Sequence, residues 1–184
     1  MTALIQPSLD IFTFNTLLTS LSLGDLREAD AQKRPAGGNS IVYVAGHMLG
    51  TRIGLCQGLG LQVADPWKAL FEARCTDGAP YPRLAEMRDA WSRTAEALLT
   101  CGRGLSEEDA LKPHSMPLPG EDRTVRGMLT FFAWHDSYHL GQIGFLRTAL
   151  GYPSVQATFY RHSGRLEEAQ RVEERSGRAV SLTA

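Results

Sequence analysis

Cysteine is scarce in this chain of 184 residues: Cys56, Cys75 and Cys101 stand far apart, and no two form a C-x-x-C pair. Three thiols so spaced exclude a disulfide-stapled scaffold. They read as small buried hydrophobes in a reduced, soluble, cytoplasmic protein. Excess charge of either sign is lacking too, with 19 Lys and Arg against 20 Asp and Glu and a net charge of −1. That balance gives no electrostatic footing for nucleic acid or an anionic membrane. No apolar run approaches the ~18 residues of a membrane span. The opening stretch MTALIQPSLDIF has no basic residue before its apolar part, where a secretory leader normally carries one. No segment sustains two-residue alternation, so a sheet is not expected. Internal repeats and low-complexity linkers are missing as well.

Helical periodicity is what remains. Leu9, Phe12, Leu17, Leu18 and Leu21 supply one apolar face, predicting a first helix over about 8–22 with Ser8 as its cap. Asn39 and Ser40 open a second helix that reaches about Gly58; its several glycines permit close packing. Residues 59–82 hold Pro66, Gly78, Pro80 and Pro82 and read as a long connection with a short helical piece near 67–75. A third helix spans about 83–100, stopped by Gly102 and Gly104. Ser106 with the acids after it predicts a short helix, and Thr124 caps a strong fourth helix ending near Leu150. The expected fold is all-α: a four-helix bundle with a long connection between helices two and three. Residues 1–160 form that domain. Residues 161–184 form a charged C-terminal extension, with nine charged residues among positions 161–178. Glu167 with Arg171 and Glu174 with Arg178, each four apart, support a solvated helix there.

Five histidines carry the chemistry. His135 and His139 stand in W-H-D-S-Y-H-L-G-Q, four apart on one face of the fourth helix, a spacing that can chelate one ion. Composition alone gives such a pair in roughly one sequence in eight, so the pair by itself is weak. His47 strengthens it, because it lies among apolar neighbours in the second helix. Three interior imidazoles from two helices can converge where bundles build metal sites. Neutral imidazoles suit Zn²⁺, Ni²⁺ or Fe²⁺, and three protein ligands leave a position open for water or substrate. His114, in a Pro-rich loop, and His162, in the charged tail, read as bystanders.

These pieces together resemble the DinB/YfiT-like superfamily of metal-dependent bundle enzymes. The resemblance rests on Asn39-Ser40-Ile41, on His47, and on H-x-x-x-H-x-G-Q at His135, His139, Gly141 and Gln142, roughly ninety residues further on. It covers about residues 8–150. It implies that His47, His135 and His139 are the metal ligands, that the bundle runs up-down-down-up, and that the protein is a homodimer. It further implies a metal-dependent enzyme acting on a small molecule, first of all an S-transferase or isomerase using a low-molecular-weight thiol. A metal-dependent hydrolase and a non-catalytic metal-binding protein are the alternatives.

The supporting residues leave choices open. An open metal position can activate a thiol or a water. A structural tetrahedral site would want a fourth protein ligand, for which Cys56 and Cys101 have the right chemistry. Asp136 and Tyr138 should point away from the His135/His139 face, with Asp136 in an inter-helix or surface salt bridge. Gln142 shares that face and can bond a ligand or a backbone group. Arg52 and Arg88 could meet an anionic substrate at a pocket mouth, but a solvated or paired arginine is the more common outcome. Trp91, Tyr43, Trp134 and Phe131 read as core or dimer contacts, with the lining of a pocket as the lesser alternative.

Overall fold

A computed structural model describes residues 2–175. All regular structure among them is helical, apart from one isolated bridge between Pro113 and Thr124. Helix α1 spans Gln6–Gly24 and is followed by a single turn, α2, at Glu28–Ala31. Helix α3 covers Ile41–Gly58, and the long connection after it contains only the short α4, Lys68–Glu72. Helices α5 (Leu84–Gly104), α6 (Glu107–Leu111) and α7 (Val125–Ala149) follow. The chain then forms α8, Val155–His162, and α9, Leu166–Arg175.

Three of the expected starts are made by the residues the sequence named. The Ser40 side chain accepts from the Tyr43 N–H, Ser106 from Asp109, and Thr124 from Gly127. Two expectations are corrected. Ser8 does not cap α1: the helix begins before Pro7, which suits a first turn because its missing N–H has no helical partner there. Ser8 is buried inside the helix instead, with Oγ 3.2 Å from Thr130 Oγ1. Gly102 does not stop α5 either. It is buried within the helix, and a Cβ at this position would lie 2.5 Å from Leu9 Cδ2, so the glycine is a contact point between α1 and α5.

The long helices α1, α3, α5 and α7 form the body of the molecule. Helices α1 and α3 each pack against both α5 and α7. One apolar cluster gathers Ile41, Met48, Ile53, Phe71, Trp91 and Ile143; the other gathers Leu9, Phe12, Leu55, Leu98 and Met128. Arg52 touches both, with its guanidinium 4.0 Å from the Trp91 ring and 5.2 Å from that of Phe12. Arg147, also fully buried, joins α7 to the end of α1 through Asp25 and the Ser22 carbonyl, and to the next segment through the Pro153 carbonyl.

The described part of the charged tail is the end of α8 together with α9. Helix α9 packs on α8, buries Ala169, and pairs Glu173 with Arg161. The expected pair Glu167–Arg171 is present at 3.4 Å, whereas Arg178 lies outside the described residues.

Candidate metal centre

His47 is on α3 and His135 and His139 are on α7, two helices that pack side by side. Their imidazoles meet. Ring centroids are 4.7 Å apart for His47 and His139, 5.3 Å for His47 and His135, and 4.3 Å within the α7 pair. One ring nitrogen from each lies within 4.8 Å of the other two. A tetrahedral ion with bonds of 2.0–2.1 Å places its ligand nitrogens about 3.3 Å apart. The α7 pair already stands at 3.1 Å between Nε2 atoms, and His47 offers a ring nitrogen within 4.8 Å of both partners.

The hydrogen bonding suits a cation. His139 Nδ1 is 2.8 Å from Gln142 Oε1, an acceptor, so Nδ1 carries the proton and Nε2 presents its lone pair to His135. The two facing Nε2 atoms cannot both be bare without repulsion. His135 Nδ1 is buried with no hydrogen-bond partner among the described residues, so the pair gains nothing from the protein on that side. Burial, then the proximity of His139 and of His47, hold the His135 pKa down to about 4. Burial first, and His139 second, also push His47 below the ordinary imidazole value. Both rings are therefore neutral at pH 7, the state in which an imidazole binds metal. Phe131 and Phe132 flank His135 at ring distances of 6.0 and 6.1 Å, and Tyr138 stands 5.1 Å from His139.

The expected depth of the histidines changes, while the expected inter-helix salt bridge of Asp136 and the pairing of Arg52 are present. The histidines sit at the rim of the core face of α7, only half-buried, and Asp136 is the deeper residue. Asp136 accepts a 2.7 Å hydrogen bond from Arg52 Nε, with both side chains essentially sealed from solvent. Arg52 also donates to Thr16 Oγ1 at 2.7 Å and to the Phe12 carbonyl. Its donors are spent on the bundle interior. Arg88 donates to the Gly24 carbonyl at 3.5 Å. Cys56 Sγ faces the Thr94 carbonyl, and neither it nor Cys101 joins the histidine cluster. His114 and His162 lie outside that cluster as well.

A cavity of about 470 Å³ opens beside His47. Its floor is one face of α3, from Tyr43 past His47, Gly50, Thr51 and Gly54 to Gln57. Its roof is the connection from Asp65 to Glu72. Sequence reasoning missed this pocket, although its trace is visible. Gly46, Gly50, Gly54 and Gly58 recur every four residues, one row along a helix. At Gly46 the Phe71 ring occupies the space of a side chain, for a Cβ there would lie 2.1 Å from it.

The sequence profile of the DinB superfamily matches residues 14–143, most of the chain and all three histidines. The chain belongs to the DinB superfamily. Among solved structures, a DinB-like protein from Bacillus cereus ATCC 10987 superposes with a TM-score of 0.61 at 19% identity, covering 80% of this chain and 93% of that one. At that identity the likeness speaks for the fold. No curated protein matches the chain. No helix among the described residues of this DinB member is long and apolar enough to cross a membrane.

Proposed function

We propose that this DinB protein is a metal-dependent enzyme in which His47, His135 and His139 hold one divalent cation, Zn²⁺ or Ni²⁺ first and Fe²⁺ next. Its reaction is transfer to, or isomerisation through, a low-molecular-weight thiol. The observation that carries this reading is the convergence of three imidazoles, two of them held neutral, at the edge of a cavity large enough for a small molecule. A divalent cation with only three protein ligands supplies Lewis acidity and lowers the pKa of a thiol in its open position.

The residues of the chain do the rest. Gln142 fixes the His139 tautomer by accepting from Nδ1. Phe131 and Phe132 shield His135 from bulk water. The open face of α3 at Gly54, two turns on from His47, lets a ligand lie against helix backbone along the cavity floor. The unit that acts is residues 1–160, with 161–184 as an extension, and the protein works in the cytoplasm as a homodimer without nucleic acid.

The test is calorimetric titration of a small thiol into metal-loaded and metal-free protein. Thiol binding that needs the metal supports the reading. Equal binding with and without metal, or none to the loaded protein, contradicts it and leaves hydrolysis or simple metal binding.

A further inference from the structure

The polar groups around the cavity share a chemical bias. The Tyr43 hydroxyl donates to the Ala73 carbonyl at 2.9 Å, and Thr51 Oγ1 donates to the Met48 carbonyl at 2.8 Å. Gln57 Nε2 donates to the Val63 carbonyl at 2.8 Å. The two hydroxyl protons and one of the two Gln57 amide protons are thus turned into the protein, and what the hydroxyls keep for a ligand is acceptor oxygen. The one cation on the wall, Lys68, stands 3.8 Å from Glu72 at the exposed rim. Asp65 is different. It is half-buried on the inner wall, and its Oδ1 accepts from the Trp67 N–H at 3.2 Å. Its Oδ2 lies over Gly50, 3.3 Å from where a Cβ would be. Among the described residues no cation pairs with it. Gly50 follows His47 by three residues, about 4.5 Å along the helix axis.

Resting on the thiol reading above, we propose that the cavity selects a short aminothiol, with Asp65 receiving the ligand's ammonium group while its sulfur lies toward the three histidines. An acceptor-lined wall with one uncompensated carboxylate favours a cationic, donor-rich ligand. It disfavours an anionic one, whose carboxylate would meet the Asp65 carboxylate on the inner wall, away from Lys68 at the exposed rim. Asp65 is therefore a specificity residue and leaves the metal ligands untouched.

The experiment titrates zinc-loaded protein with three thiols of similar size: cysteamine, 2-mercaptoethanol and 3-mercaptopropionate. It is repeated on Asp65→Asn, whose zinc content and melting temperature are measured alongside. The expected result is that Asp65→Asn weakens cysteamine binding about tenfold, leaves 2-mercaptoethanol unchanged and improves 3-mercaptopropionate, with zinc content intact. If the substitution changes all three thiols alike, or none, Asp65 does not select charge and the inference falls while the thiol reading stands. If zinc-loaded wild type binds no thiol at all, both fall together.

Discussion

Gln142 decides which nitrogen of His139 faces the other two imidazoles, because an amide oxygen at 2.8 Å from Nδ1 can only accept. Replacing it by leucine removes that acceptor and frees the ring to turn. Gln142→Leu should fold normally and weaken metal affinity about 10- to 100-fold, measured by competition with a chelating dye. An unchanged affinity would show that the tautomer is fixed elsewhere. The Arg52–Asp136 pair answers to a different test. Both groups are sealed from solvent, and Arg52 is bound to α1 as well. Arg52→Met leaves Asp136 charged and unpaired in the core and should cost about 3–5 kcal/mol in urea unfolding. The double variant Arg52→Met with Asp136→Leu should recover most of that loss. The histidines were legible in the sequence because helical spacing and apolar neighbours locate them. The partnership of Arg52 was not, since its carboxylate comes from a helix more than eighty positions away. Nothing local to Arg52 distinguishes a ligand-binding arginine from one that braces two helices.

At the scale of elements, helix starts were readable and contact points were not. Ser40, Ser106 and Thr124 cap their helices because capping involves residues only three apart. Gly102 looks in the sequence like a helix stop, and Gly46 is one of several glycines that permit close packing without naming what packs there. Each is a place where another element approaches the backbone: Leu9 of α1 in one case, Phe71 of α4 in the other. Gly46→Ala therefore makes a sharp prediction. Its new methyl group must displace the Phe71 ring, which is buried and stacked on Tyr81 at 5.7 Å. The substitution should cost about 1–3 kcal/mol in stability through overpacking. It should also loosen the 65–72 roof, weakening ligand binding while metal content stays at the wild-type level. Full ligand affinity in Gly46→Ala would mean that the roof does not shape the cavity. The roof itself was hidden in the sequence because residues 59–82 read only as a proline- and glycine-rich connection.

For the whole molecule, two of the sparse cysteines that first excluded a disulfide scaffold, Cys56 and Cys75, lie in its interior, whereas Cys101 is only half-buried. Burial pushes the Cys56 thiol up to about 11, against the pull of Arg52 nearby. A folded-state value raised above the unfolded one contributes stability that is full below the ordinary thiol range. That contribution is lost as pH rises toward 11, because the unfolded chain ionises first. Stability should therefore fall between about pH 9 and pH 11, and Cys56→Ala should flatten part of that slope. The outer face of α7 makes a second global prediction. Trp134, Tyr138 and Phe145 are exposed on it, Phe145 by 72%. If the proposed homodimer uses this face, Phe145→Glu should reduce the mass in sedimentation from two chains to one.

The central claim is that three histidines from two helices hold one divalent cation. Elemental analysis of protein reconstituted with zinc and freed of excess tests it most directly, with wild type compared to His47→Ala. One metal ion per chain in wild type and a loss of most of it in His47→Ala is the predicted result. Wild-type protein that retains no stoichiometric metal, or a His47→Ala variant that retains it all, would contradict the account.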